Sequence, residues 1–418
     1  MTTSPGSDTP RVPRVHVRET APFRRLSRVG ANVILIGLTS LLTDVSSEMV
    51  NAVLPLYLTT TLHFTPLAFG FFDGVYQGTS ALVRLWGGLI ADRRNNRKQV
   101  AAVGYATSAA CKLGLLAAGT LWTFTTFFLL LDRLGKGLRT APRDALIALS
   151  SPRERWGEAF GVHRAMDTAG ALIGPLLAFV LLARAPAAFD AVFAVSLAFG
   201  IVGLGVLLFF VQNRGGEMST PARSGGSLRT ASALLAIREF RTLVLLASLL
   251  SLATVSDAFV YLVVQRRADL DPSLFPLLPV AMTIAYLLLA IPAGRLADGL
   301  GRARIFLGGY VALAAAYALL AWPSASTAAL FLSLPLLGTY YAATDGVLMA
   351  LASQTLPPER LTTGMALLTT GTVLARLLAS TIFGAVWSWR GPESAVIFFL
   401  CALPVALVVA AIGLRARG

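Results

Sequence analysis

Asp44 and Glu48 stand four residues apart, one helical turn, in a stretch that is otherwise almost wholly apolar. Two close carboxylates in such surroundings cannot both ionise cheaply, so one can hold a proton at neutral pH and the pair becomes a candidate for proton exchange. The plainer alternative is that each is tied to a cation and only braces one helix against another. Cations are at hand: Asp132, Lys136, Arg139 and Arg143 fall at i, i+4, i+7 and i+11, all on one helical face, with Arg133 beside it. Farther on, His163 and Arg164 precede Asp167 by four and three residues, the spacings of a local ion pair. For Arg164 and Asp167 the expected role is helix positioning. His163 is a further proton-carrying candidate, although a lone interior histidine is more often simply hydrogen-bonded. The later part of the chain is poorer, with Asp257, Asp345 and Arg376, and with Tyr286, Tyr340 and Tyr341 as cavity aromatics or packing residues.

The elements that must carry these residues follow from composition. Of 418 residues 56% are hydrophobic and only 13% charged, and mean hydropathy is +0.71, so water is not the main solvent. A bilayer core of about 30 Å needs about 20 apolar residues per helix. Such stretches occur at 31–58, 67–91, 99–119, 123–147, 158–183, 187–211, 240–264, 273–297, 304–322, 326–353, 361–387 and 393–414. Their Leu, Ala and Gly content suits packed helices, and the alternating strands of a membrane barrel are missing, so the expected fold class is an all-α membrane protein with twelve transmembrane helices. An ionisable side chain at mid-bilayer costs about 2.5–3.5 kcal/mol even on lenient insertion scales. The basic face of the fourth stretch must therefore line a watered cavity or meet carboxylates from other helices. Arg84 and Lys112 are expected to snorkel or pair, and Asp73 to lie near the outer end of its helix.

The net charge of +14 raises the question of nucleic acid, but the positions of the charges answer it. Arginines 11, 14, 18, 24, 25 and 28 precede the first stretch, and the even-numbered loops carry most of the remaining basic residues. The opposite loops offer only Arg184, Arg266, Arg267 and Arg390. The positive-inside rule then places both termini in the cytoplasm and the protein in the cell (inner or plasma) membrane, with the lipid bilayer as its partner and no nucleic acid. Arg24-Arg25 is not expected to be a cleaved twin-arginine signal, because the apolar stretch after it is too long and carries Asp44 and Glu48. Cys111 and Cys401 both fall inside spans, which offers neither a disulfide framework nor a metal site. There is no GxSxG elbow, no HExxH helix and no GxxxxGK[ST] loop, and Gly135-Lys136-Gly137 is mid-helix, so no cofactor and no enzyme activity are expected.

Residues 1–28 read as a basic tail and 212–238, rich in Gly, Ser, Thr and Arg, as a cytoplasmic linker between bundles at 29–211 and 239–418. The two parts echo each other. GLIADRRNNRK at 88–98 matches GRLADGLGRAR at 294–304, each after the second span of its half. Asp144-Ala-Leu-Ile-Ala-Leu likewise matches Asp345-Gly-Val-Leu-Met-Ala-Leu at the ends of spans four and ten.

These residues resemble the major facilitator superfamily over about 30–414. The family's loop signature between helices two and three looks present as Gly88, Ile90, Ala91, Asp92, Arg93, Arg97 and Lys98, with Asn95 or Asn96 where glycine is usual; the second copy is Gly294, Leu296, Ala297, Asp298, Gly301 and Arg302. Arg133 with Gly137 resembles the helix-four arginine motif. Gly161, Gly170 and Gly174-Pro175 are similar to the exporter-associated glycine motif, whose final glycine pair is here Ala178 and Phe179. DVSSEM at 44–49, DRLGKGLRTAPRDALI at 132–147 and HRAMDTAG at 163–170 look like a prokaryotic efflux permease subgroup. The resemblance implies two pseudo-symmetric six-helix bundles that rock about a site between them.

The expected activity is alternating-access transport of a small-molecule substrate by a monomer, as a proton-coupled antiporter exporting small amphipathic compounds. Asp44 or Glu48 would exchange the proton, Arg133 would tune the site, and Asp132, Lys136, Arg139, Asp257, Tyr286, Tyr340, Tyr341 and Arg376 would face the substrate. Gly88, Asp92, Arg93, Arg97, Arg143, Asp144, Gly294, Asp298, Arg302 and Asp345 would form cytoplasmic gates, carboxylate against arginine or helix terminus, that hold one conformation and release in the other. The rival readings are an organic-anion exchanger or importer that uses the basic face of span four, and a non-transporting receptor on the same fold.

Overall fold

The computed structural model describes residues 30–94, 97–152, 155–213, 234–356 and 361–415; the side chains of 80–82, 84–94, 362 and 415 lie outside the description. The expected tail at 1–28, most of the linker, Asn95 and Asn96 lie outside the described residues. The rest is helical, without a strand among the described residues.

The first half is α1 (Ala31–Leu56, continued by a π-turn at Tyr57–Thr61), α2 (Pro66–Arg94), α3 (Arg97–Ala118), α4 (Trp122–Leu149), α5 (Trp156–Arg184) and α6 (Phe189–Phe209). The second is α7 (Arg238–Leu252), α8 (Asp257–Arg267), α9 (Leu277–Leu300), α10 (Arg302–Ala321), α11 (Thr327–Gln354), α12 (Leu361–Arg390) and α13 (Pro392–Arg415). The seventh span departs from expectation. Instead of one helix over 240–264 it breaks after Leu252 and restarts at Asp257, with the chain unwound between. Among the described residues nine spans are long and apolar enough to cross a bilayer by length and composition alone. α4 is not one of them, because its Asp132, Arg133, Lys136, Arg139, Arg143 and Asp144 lower its hydropathy; it crosses only because other helices enclose it.

Packing repeats between the halves. α1 packs on α5 and α6, α2 on α4, α3 on α4 and α6; in the same order α7 packs on α12 and α13, α9 on α11, α10 on α11 and α13. Two six-helix bundles related by pseudo-symmetry result, as expected. Close approach between α1 and α5 depends on Gly170 and Gly174, where an added Cβ would meet the Leu41 and Val45 carbonyl oxygens at 2.7 and 2.8 Å. Gly161 behaves otherwise. Expected to belong to the same packing motif, it faces open space.

The halves meet along a seam that the pseudo-symmetry makes from two equivalent pairs, α2 with α12 and α5 with α9, but only the first is tight. A Cβ at Gly74 would fall 2.8 Å from Leu377 Cα, and one at Gly70 would strike the Ser380 carbonyl oxygen. Phe259 of α8 then packs edge-on against Phe69 of α2 and tilted against Phe383 of α12, at 5.0 and 4.7 Å between centroids, sealing the end of the bundle remote from the chain termini. α5 touches α9 only lightly, and nearer the terminal end Gly161 on α5 and Gly294 on α9 both face open space. The described contacts thus close the far end and leave the α5/α9 seam parted toward the terminal end.

Gly174→Leu should drive a side chain into the Val45 backbone and cost about 1–3 kcal/mol or more of stability. Thermal unfolding in detergent should show a clearly lower midpoint for this variant, whereas Gly161→Ala should melt with the parent protein; equal midpoints for all three would remove the packing role of the α1/α5 contact.

Candidate functional site

α4 turns its charged face to α1 and α3, and each rung finds a counter-charge. Lys112 Nζ of α3 donates to Asp132 Oδ1 at 2.6 Å, with 2% of the lysine side chain exposed. One turn on, Lys136 Nζ donates to Glu48 Oε1 at 3.3 Å; this pair is open, 30% and 27% exposed. Arg139 stands 3.8 Å from Asp44 Oδ1 and lies over the Tyr105 ring at 4.4 Å. Arg143 donates to Asp144 Oδ1 at 3.0 Å and stands 3.8 Å from Asp167 Oδ2. The two α1 carboxylates therefore each have a cation of α4 beside them.

Below this ladder His163 Nε2 lies 2.9 Å from Ser40 Oγ and 3.5 Å from Asp167 Oδ1. Arg164 is exposed and does not join them: the expected Arg164–Asp167 pair gives way to Arg143 and His163, because Asp167 turns inward toward α4 while Arg164 turns out.

Arg133 is held differently from its neighbours. Its guanidinium donates to Asn51 Oδ1 at 2.7 Å and lies over the Tyr76 ring at 3.9 Å, and Tyr76 donates to the same Asn51 oxygen at 2.7 Å. Among the described residues no carboxylate stands within ion-pair distance of it.

Two cavities lie on the seam between the halves. The larger, of about 290 Å³, is lined by Glu48, Asn51, Asp73, Tyr76 and Arg133 from the first half and by Asp257, Tyr261 and Met282 from the second. The other, of about 240 Å³, joins Asp73 and Gln77 to Ser256, Asp257, Tyr341 and Arg376. Tyr341 donates to Asp257 Oδ1 at 2.8 Å and accepts from Arg376 at 3.4 Å, while Arg376 also donates to the Tyr340 hydroxyl at 3.2 Å. Ser380 of α12 donates to Asp73 Oδ2 at 3.0 Å across the seam.

Several expected cavity residues line neither space. Asp132 is drawn away by Lys112, Tyr340 packs edge-on against Tyr310 at 5.1 Å, and Tyr286 is half-buried on α9. Asp73 lies two turns inside the start of α2, toward the end remote from the chain termini, and is buried there at the seam. Asn51, Tyr76 and Gln77 join it as site residues that the sequence reading does not single out. A signal for three of the four exists: Asp73, Tyr76 and Gln77 at i, i+3 and i+4 form a polar face on an apolar span, by the rule that singles out α4.

The model of the Major Facilitator Superfamily matches residues 36–276 and 259–417. The chain belongs to the major facilitator superfamily. It is similar to an uncharacterized MFS-type transporter of Methanocaldococcus jannaschii, 32% identical over 374 residues that make up 87% of this chain and 89% of the relative. A shorter match, 30% over 166 residues and 38% of this chain, is to multidrug resistance protein MdtG of Serratia proteamaculans, covering 39% of it. Among solved structures, nucleoside transporter NupG superposes with a TM-score of 0.75 at 14% identity, over 92% of this chain and 98% of that one. A bacterial homolog of the human lysosomal transporter Spinster, inward-facing and unoccupied, gives 0.69 at 13%, over 95% and 98%. These two likenesses concern the fold.

This major facilitator protein is a multi-pass membrane transporter and not an enzyme. Its loop signature is seen best in the second half, where Arg302 donates to Asp298 Oδ1 at 3.1 Å and to the Ala350 carbonyl at 3.2 Å, both within that half. Of the first copy, Gly88, Asp92 and Arg93 lie on α2 with side chains outside the described residues, and Arg97 is buried at the start of α3. Asp345 is exposed on α11.

Removing Asp132 alone, as Asp132→Ala, would leave Lys112 buried without its counter-charge, at a cost of about 3–5 kcal/mol. The expected result is a strong loss of thermal stability in detergent, largely restored in the Lys112→Met/Asp132→Leu double variant; a single variant as stable as the parent would show that the pair carries no stability.

Proposed function

We propose that this transporter is a proton-coupled antiporter exporting small amphipathic compounds, with the α1 carboxylates exchanging the proton. The observation that carries the reading is the Glu48–Lys136 pair. Its carboxylate, Glu48, also lines the larger cavity, and both partners are part-exposed, so a proton or a substrate can reach the pair. Asp44, one turn away against Arg139, would pass the proton toward the terminal end, where Asp167 and His163 stand beside Arg143 and Ser40. The printed name of the Serratia relative, a multidrug resistance protein, supports export, though over part of the chain.

On the charge asymmetry of the loops, the terminal end faces the cytoplasm of a cell membrane and the bundles at 29–211 and 239–418 act as one monomeric unit. The conformation described is then parted toward the cytoplasm, with Asp298 held by Arg302 of its own half instead of latching the halves together. Rocking would close this side and loosen the Phe69, Phe259 and Phe383 plug. The organic-anion reading loses support from the ladder itself, because Lys136, Arg139 and Arg143 already face carboxylates.

In proteoliposomes, efflux of a cationic dye driven by a pH gradient should fall about tenfold or more in Glu48→Gln or Asp44→Asn, the scale of a coupling free energy of about 1–3 kcal/mol, while dye-for-dye exchange without a gradient persists. Unchanged gradient-driven flux in both variants would overturn the coupling assignment. Collapse of the gradient by a carboxylated or phosphorylated solute in place of the dye would favour anion exchange.

A further inference from the structure

The larger cavity carries charges of both signs that have no counter-charge in contact, one guanidinium and two carboxylates, beside Glu48, whose partner is Lys136. On its first-half wall Arg133 is 8% exposed, its partners Asn51 and Tyr76 are neutral, and its Nε has no hydrogen-bond partner. On the second-half wall Asp257 opens the short helix α8, and its only described hydrogen-bond donor is the Tyr341 hydroxyl. Asp73, between them, has the Ser380 hydroxyl. Among the described residues neither carboxylate has a Lys, Arg or His within ion-pair distance.

Leaving a buried guanidinium and buried carboxylates with neutral partners is costly, and a ligand that supplies the missing charges recovers that cost. A lone cation would complete Asp257 and press on Arg133, and a lone anion would do the reverse. A zwitterion meets both walls at once, its anion on Arg133 and its cation between Asp257 and Asp73. Between the walls lie Phe69, Phe72, Tyr261 and Met282, which suit an apolar body. The volume, about 290 Å³, lies at the low end of the range for small-molecule sites, about 300–1,000 Å³, and suits a compact solute.

We infer that the substrate is a small zwitterion, a carboxylate and an ammonium group separated by an apolar body, with the carboxylate on the Arg133 fork and the ammonium on Asp257 and Asp73. The inference rests on the transport reading for its biological meaning and names the substrate class of the same cavity. Arg133 supplies two-point recognition that a lysine could not, because its donors are planar and fixed.

The test is a matched set of probes with the purified full chain: 4-(aminomethyl)benzoate, 4-methylbenzylamine and 4-methylbenzoate, followed by thermal shift and by counterflow in proteoliposomes. The zwitterion should bind at least about tenfold more tightly than either singly charged analogue, the scale of one charge-assisted hydrogen bond. Arg133→Gln should abolish its advantage over the amine, and Asp257→Asn its advantage over the acid; Arg133→Lys should keep the charge and still lose most of the preference. Equal binding of all three probes by the parent protein, which needs no variant to fold, would overturn the inference, as would variants that keep the parent's ranking. Zwitterion preference without counterflow would uphold this assignment and sink the transport cycle proposed above. Proton-driven dye flux without zwitterion preference would do the opposite.

Discussion

A charged side chain taken out of water must find its counter-charge in the protein, and in this molecule α4 concentrates that demand on one helix. Asp132, Lys136, Arg139 and Arg143 can stay in the membrane only while α3 holds Lys112, α1 holds Glu48 and Asp44, and α5 holds Asp167 at the matching heights. The heights match because all these positions advance by about one turn, so that rungs on two helices stay in register. What keeps α1 in place is its contact with α5. Gly170 and Gly174 let α5 press against α1 beside Asp44 and Glu48, whose Cβ atoms lie 3.0 Å from where glycine side chains would begin. Backbone packing of α5 on α1 therefore fixes where the two carboxylates stand.

The same arrangement explains how the halves differ while sharing one pattern of helix pairs. Along the α4 ladder the first half meets its charges ion to ion, between α4 and side chains of α1, α3 and α5. At the seam the second half has fewer charges and joins Asp257 to Arg376 through a hydroxyl, by way of Tyr341. An ion pair in a low-dielectric interior is expensive to open, whereas a hydroxyl relay can change partner by rotating one bond. A rigid first bundle and a more adjustable second wall follow, and the larger cavity lies between them.

Much of this is legible in the residues. The twelve spans, the two-bundle repeat and the one-faced ladder on α4 follow from hydropathy and helical period, and so does the choice offered to Asp44 and Glu48, because i, i+4 spacing fixes direction whatever the tertiary context. What period cannot supply is the rotation of each helix against its neighbours. Asp132 and Arg133 are adjacent, yet one meets Lys112 and the other opens on the seam cavity, a difference of about 100° around the helix that only packing assigns meaning to. Asp73 is a related case: the polar face it forms with Tyr76 and Gln77 is readable from helical period, but its partner comes from α12, about 300 residues away, and period does not supply that. Arg164 shows the converse. Its spacing to Asp167 is right, but a partner from α4 outcompetes it.

The break in the seventh span is the least legible feature and the one with the clearest physical consequence. Unwound backbone inside a membrane leaves N–H and C=O groups unpaired unless protein or a wet cavity receives them. Here the Val255 N–H donates to the Tyr317 hydroxyl at 2.7 Å, Thr254 bonds back to the Leu250 carbonyl, and Thr254 to Asp257 line the smaller cavity. Restarting the helix at Asp257 puts that carboxylate at the positive end of the α8 dipole, a stabilising position for a negative charge that has no cation in contact. Continuing the helix through these residues would satisfy the backbone but carry Asp257 into a helix interior, away from the free N–H groups that mark a helix start. The unwound turn is therefore the means by which a second-half carboxylate is held, unpaired and available, on the wall opposite Arg133.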